Sequence, residues 1–237
     1  MRLPIQIVEK VRSAVGKNFL LIFRLSMIDL IPKGSSHDEV FILAKELEIA
    51  GINIINTGIG WHEARIPTIA TSVPPAAFTW VTKKLMGKIK IPLITSNRIN
   101  TPEKVEEVLK SKCADLVSMA RPFLADPEFV NKASQEKSQL IAPCIACNQA
   151  CLDHTFKGQI SSCLVNPRAC FETELELKTV SHSKNIGIVG AGPAGLSAAI
   201  TAAQIGHKVT VFEKEQELGG QLNLAKMVPG KEEFWGL

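Results

Sequence analysis

A chain of 237 residues that is 46% hydrophobic and 21% charged has the make-up of a folded protein of one large or two modest domains, and excludes a disordered or collagen-like one. A net charge of +4 with no block of lysine or arginine excludes nucleic acid as a partner. Met1-Arg2-Leu3-Pro4 lacks the apolar core of a secretory signal, which leaves a reducing, cytoplasmic setting as the expectation.

The first 140 residues alternate short apolar runs with amphipathic segments, the rhythm of strand–helix units around a parallel sheet. A helix is expected over Pro4–Val15, with Ile5, Val8, Val11 and Val15 at helical spacing, then a strand over Phe19–Leu25. Ser36 and Glu39 have the spacing of a capping box opening a helix through Ala50, and Gly51 ends it. A strand over Ile52–Asn56, a helix over about Pro75–Met86 and a strand over Ile91–Thr95 follow. Thr101-Pro102 caps a helix through Lys110, Asp115–Met119 is the next strand, and Asp126-Pro127 starts another helix.

Polar residues recur where these strands end: Arg24 and Ser26, Asn56 and Thr57, Asn97 and Arg98, Ala120 and Arg121. In a strand–helix barrel the active site lies at that end, which favours a barrel over an open sheet. One arginine after a strand is ordinarily a solvated loop residue. Three in equivalent places point to an anionic cofactor, because a guanidinium grips phosphate with two parallel hydrogen bonds. A lone histidine is more often packed or solvated, yet His62, among glycines after the second strand, stands as a candidate site residue. A closed barrel of this type needs about eight units, so four imply a fragment or a chain that pairs with another half.

Cys144, Cys147 and Cys151 form one tight run, and Cys163 follows after eleven residues. Without a secretory signal a disulfide framework is the weakest reading. On spacing alone, zinc and an iron–sulfur cluster remain equally open, and the flanking domains decide between them.

A polar linker over Phe171–Lys184 leads to a further fold. From Ile186 to Gly206 there is no charge across 21 residues, a spanning length, but the glycines suit a buried strand, a turn and a buried helix better than lipid. A strand over Asn185–Val189 runs into Gly190, Gly192 and Gly195, a helix through Gly206 follows, and a strand over Lys208–Phe212 ends at Glu213. This is the dinucleotide fingerprint in its required context. Glu213 would accept hydrogen bonds from ribose hydroxyls, which argues for FAD or NAD over NADP at this site. Gly219-Gly220 is a turn that could run beside the nucleotide.

Phe23 to Ser26, Asn56 to Arg65, Met119 to Phe123, the cysteine run, Cys163 to Arg168 and the Gly190 fingerprint together resemble the NADH:flavin oxidoreductase (old yellow enzyme-like) family, in its multidomain 2,4-dienoyl-CoA reductase branch. The resemblance covers essentially the whole chain. It implies the C-terminal half of a (β/α)8 TIM barrel over 1–140, a [4Fe–4S] segment and linker over 141–184, and the start of a Rossmann-like FAD-binding domain over 185–237. It further implies FMN at Arg24, Arg98, Ala120 and Arg121, and the cluster on Cys144, Cys147, Cys151 and Cys163. FAD would be lined by Ala194, Glu213, Gln221 and Lys231, and His62 would help protonate or polarise the substrate. Cys113 and Cys170 match no ligand position.

The implied reaction is NADPH-dependent reduction of the conjugated double bond of a 2,4-dienoyl-CoA, in the oxidation of unsaturated fatty acids, with electrons passing from FAD through the cluster to FMN. Trimethylamine dehydrogenase-like and enoate reductase-like members, or a non-catalytic electron-transfer fragment, are the alternatives. The family's usual proton donor is a tyrosine on an earlier strand, and this chain has no tyrosine. Little turnover is therefore expected of these 237 residues without the remainder of such an enzyme.

Overall fold

Helix α1 (Arg2–Val15) opens the chain and turns through Gly16 towards strand β1 (Ile22–Ser26). A computed structural model describes residues 1–61 and 64–237. Arg12, in the last turn of α1, organises this entry. Its Nη1 donates to the carbonyls of Gly16 and Phe19 at 2.8 and 2.7 Å, and its Nε and Nη2 donate to that of Gly51 at 2.9 and 2.6 Å. Nη2 also donates to Asn53 Oδ1, which accepts from the Leu21 amide. These bonds hold Phe19 to Leu21 in the connection, so the strand begins three residues later than the apolar run predicts.

The expected capping box is present at helix α2 (His37–Ile49). Ser36 Oγ accepts from the Glu39 amide while Glu39 Oε2 accepts from that of Ser36. Val40, Ala44 and Leu47 recur at helical spacing and are buried. Strand β2 (Ile54–Gly58) follows, then helix α3 (Thr79–Lys83), strand β3 (Leu93–Thr95) and helix α4 (Pro102–Lys110), capped by Thr101. Strand β4 (Leu116–Val117) leads into helices α5 (Arg121–Ala125) and α6 (Phe129–Ser134).

Helix α3 starts later than predicted because residues 75–78 are held as a turn, and it also stops at Lys83, three residues early. Ala76 adopts φ 57°, and its amide donates to the Arg98 carbonyl at 2.7 Å. Helix α5 was not expected, although Pro122 in its first turn is a start signal.

The strands β1, β2, β3 and β4 pair in that order, all parallel, with Arg24 opposite Asn56 and Ile55 opposite Leu93. Leu25, Ile55 and Leu93 cluster with Val40, Ala44, Leu47, Val81 and Leu85 to form the core between sheet and helices. Within that core Thr82 Oγ1 lies 2.7 Å from Thr57 Oγ1 and 2.9 Å from Thr95 Oγ1, and Thr57 donates to the Ile94 carbonyl. All three threonines are fully buried, so this chain of hydroxyls satisfies itself. On the other face of β1, Ile22, Arg24 and Ser26 are exposed. This is an α/β fold on a parallel sheet.

The chain divides into two compact units, Met1–Cys147 and Asn148–Leu237. The second opens with a π-helical turn (Gln149–Asp153) and the short helix α7 (His154–Phe156). Strand β5 (Asn185–Val189), helix α8 (Pro193–Gln204) and strand β6 (Lys208–Phe212) then make a parallel βαβ unit, followed by helix α9 (Leu222–Ala225). The uncharged stretch over 186–206 is thus strand, turn and helix, and no described helix is long and apolar enough to cross a membrane.

Candidate functional site

Because β1 to β4 are parallel, their carboxyl ends share one edge of the first unit. Ser26, Asn97, Arg98, Ala120 and Arg121 fall at or past those ends, whereas Arg24 and Asn56 sit mid-strand and Thr57, expected there too, is buried in the core. Arg24, on β1, donates through Nη1 to Asn56 Oδ1 on β2 at 3.1 Å. The same oxygen accepts from Ser118 Oγ, just past β4, at 3.2 Å. Arg98 is 5% exposed, and its Nε donates to the Val73 carbonyl at 2.8 Å. Two consecutive residues after β3, Asn97 and Arg98, have φ of 75° and 55°, a left-handed pair that carries β-carbons and is therefore held against its own preference. Ala120 precedes α5 and Arg121 begins it. His62 lies outside the described residues. Beside it, Gly60 and Trp61 donate backbone hydrogen bonds to Ile28 and Asp29, which ties the loop after β2 to the loop after β1.

Asp29 itself accepts from Ser26 Oγ and from the Ser35 amide, both at 2.8 Å. The Ser35 amide is the main reason its carboxyl titrates below the usual range, with burial opposing. Asp29 was not singled out from the sequence, and nothing in its neighbourhood of residues marks it.

The segment that carries the first two cysteines packs on this edge through side chains that the sequence reading also passed over. Asn100, 4% exposed, donates from Nδ2 to the Cys144 carbonyl at 2.8 Å. Thr71 Oγ1 donates to the carbonyls of Ile145 and Ala146, each at 3.1 Å. Buried Asp126 accepts from the Ala142 amide and pairs with Lys132. The available signal was the recurrence of asparagine at 97 and 100 around Arg98.

In the second unit Cys151 sits in the π-helical turn, a rare local geometry often found at functional sites. Its carbonyl accepts from Thr155 Oγ1 at 2.9 Å. Cys163 lies twelve positions on, before a turn closed by the Asn166 amide on its carbonyl. All six cysteines are free thiols. Among the described residues no three His, Cys, Asp or Glu side chains are gathered to hold a single metal ion.

The glycine loop of the second unit is built as its fingerprint requires. Gly190 has φ 96° and its amide donates to the Phe212 carbonyl. A β-carbon on Gly195 would stand 1.9 Å from the Gly190 carbonyl oxygen, so only glycine lets α8 pack there. A β-carbon on Gly192, at the N-cap of α8, would meet nothing within 4 Å, which leaves open room where a pyrophosphate approaches the backbone. Glu213 follows β6, and its Oε2 accepts from the Ala191 amide at 2.7 Å while Oε1 accepts from those of Lys214 and Glu215. These amides, Ala191 first, hold its carboxyl below the usual range. The Gly219 amide donates to the Ala191 carbonyl, so the Gly219-Gly220 turn does run beside the loop. Ala194, in the first turn of α8, Gln221, which precedes α9, and Lys231 are all exposed. The open cradle and the carboxylate acceptor fit the ADP half of a dinucleotide.

A parallel α/β unit with cationic side chains at its strand ends, followed along the chain by a glycine-loop nucleotide fold, is the layout of a flavin- and nicotinamide-dependent oxidoreductase. The chain belongs to the NADH:flavin oxidoreductase / NADH oxidase family, whose model matches residues 1–139, and residues 188–233 match a NAD(P)-binding Rossmann-like domain. It is 42% identical over 234 residues to a metal reductase of Desulforamulus reducens, covering 99% of this chain and 35% of that protein. It is 36% identical over 238 residues to an NADH oxidase of Thermoanaerobacter brockii, covering 98% of this chain and 36% of that one. The solved complex of 2-naphthoyl-CoA reductase with 2-naphthoyl-CoA superposes with a TM-score of 0.96 at 31% identity, covering 99% of this chain and 36% of that one. The chain thus spans about a third of the length of the curated relatives it matches. The family binds FMN and NAD(P)H.

Proposed function

We propose that this chain is the central part of an iron–sulfur flavoenzyme that reduces the conjugated double bond of a 2,4-dienoyl-CoA with NADPH. The observation that carries the reading is an order along one chain: cationic strand ends, four closely spaced cysteines, then an open glycine cradle with an acidic acceptor. The likeness to 2-naphthoyl-CoA reductase supports a CoA thioester as substrate class.

On this reading Arg24, Arg98, Ala120 and Arg121 bind FMN, the arginines by neutralising its phosphate and polarising its ring. Gly190, Gly192 and Gly195 admit the pyrophosphate of FAD against backbone amides, while Ala194, Gln221 and Lys231 line it and Glu213 orients its ribose. Cys144, Cys147, Cys151 and Cys163 hold a [4Fe–4S] cluster. The three groups when bound supply one chemistry, splitting a nicotinamide hydride into single electrons that can cross between domains and recombining them at the alkene. His62 is assigned to polarise the thioester carbonyl or hold a proton near it.

The test uses the natural polypeptide that carries this chain, purified without oxygen. Iron and acid-labile sulfide at about four each per chain are expected, with FMN and FAD released on denaturation. NADPH oxidation should then depend on a 2,4-dienoyl-CoA as electron acceptor, and trimethylamine offered as electron donor should not reduce the oxidised flavins. Zinc without sulfide, or turnover of the amine in place of the thioester, overturns the proposal.

A further inference from the structure

We infer that Asn100 and Thr71, two side chains of the first unit, are positioning residues that fix the Cys144–Cys147 turn before any cluster is bound. The function of that turn rests on the cluster reading above, but its geometry does not. The turn is an unfavourable one. Ala146 has φ 52° and Asn148 has φ 62°, so left-handed residues carrying β-carbons flank Cys147 on both sides. Ala146 is also buried, at 2% exposure, so solvent does not satisfy its backbone. Such a conformation persists only where its surroundings over-determine it.

Here the surroundings are the two side chains. Asn100 takes the Cys144 carbonyl at 2.8 Å, and the Thr71 hydroxyl is shared between those of Ile145 and Ala146 at 3.1 Å. Three successive carbonyls between the two thiols are therefore committed to the first unit. Neither donor comes from the cysteine segment itself. Thr71 belongs to the loop after β2 and Asn100 to the loop after β3.

The second loop matters most, because Asn100 stands two residues from Arg98, the arginine assigned to the flavin. The left-handed pair Asn97-Arg98 and the bond from the Ala76 amide to the Arg98 carbonyl fix that short span. One span of backbone thus sets both the flavin-side guanidinium and the first cysteine. The Cys144–Cys147 turn takes its place relative to Arg98 from these two loops and not from the cysteine segment alone.

The experiment reads the thiols directly. In the chain without iron, alkylation by iodoacetamide is followed cysteine by cysteine with mass spectrometry. Asn100→Leu and Thr71→Val keep side-chain size but remove the donor. Each should speed modification of Cys144 and Cys147 by about fivefold, the factor one lost buried hydrogen bond allows. Cys151 and Cys163 should keep their rates, and Thr71→Ser should restore those of the wild type. In reconstituted protein with full iron and sulfide, Thr71→Val should alter the EPR spectrum of the reduced cluster and Thr71→Ser should return it. Unchanged alkylation in both variants overturns the inference, as does an equal rise at all four cysteines. If neither variant folds, the wild-type chain decides, because a preformed turn requires Cys144 to react more slowly than exposed Cys170, and equal rates overturn it. Absence of sulfide would sink the cluster reading and leave the alkylation result standing.

Discussion

Gly192 and Gly195 stand three residues apart in the nucleotide loop and are glycine for different reasons. At Gly195 the obstacle is internal, since a β-carbon would collide with the Gly190 carbonyl oxygen. Gly195→Ala should therefore destabilise the second unit by about 3 kcal/mol in urea denaturation, the upper end of the usual overpacking range because the neighbour is backbone. At Gly192 there is no obstacle within the protein and φ is −76°, so Gly192→Ala should leave the urea midpoint within about 0.5 kcal/mol of wild type. On the proposed reading its effect should appear in retained FAD, which the added methyl group would displace. Glu213 adds a pH dependence. Its folded carboxyl titrates below the ordinary value of 4.5, so the stabilisation it gives is present above that value and is lost as pH falls through the folded one. The urea midpoint of the second unit should decline on acidification below about pH 4.5, and Glu213→Gln should flatten that decline.

Among the elements, the buried hydroxyls of Thr57, Thr82 and Thr95 tie α3 to β2 and β3. Thr82→Val keeps the shape but leaves two hydroxyls short of a partner in a fully buried place. A loss of about 1–3 kcal/mol is expected in the denaturation of the first unit. Nothing in the sequence marked these threonines as a set, because they come together only when the sheet forms. Elements with local signals were legible, including α1, the capped helices α2 and α4, and the whole βαβ unit around Gly190. Strand limits were not, because Arg12 and Asn53 hold the first apolar residues of two strands in connections. Helix α3 was overextended for a similar reason, since the bond between Ala76 and Arg98 is non-local. The glycine cradle was readable because its glycines, its strand and its helix are contiguous in sequence. Asn100 and Thr71 were not, because their partners lie about 44 and 74 positions away.

At the scale of the whole chain, each unit leaves apolar surface bare. In the second unit Val189 is 89% exposed and Phe212 is 57% exposed on neighbouring strands. In the first, Ile22 and Leu116 are exposed on the sheet. Adjacent exposed apolar side chains such as Val189 and Phe212 bind hydrophobic dyes and promote association. Replacing both Val189 and Phe212 by threonine should lower dye fluorescence and light scattering while shifting the urea midpoint of the second unit by less than about 1 kcal/mol, because little contact is lost. Dye binding equal to wild type would show that other surface dominates. A molecule of two units also needs a probe that reports on one alone, and the sealed threonines supply it. Hydroxyl protons locked among them are shielded from exchange with bulk water, so one of them should survive as a discrete magnetic resonance after transfer to deuterium oxide. Its disappearance on heating would time the opening of the first unit without any label, whatever the nucleotide-binding half is doing.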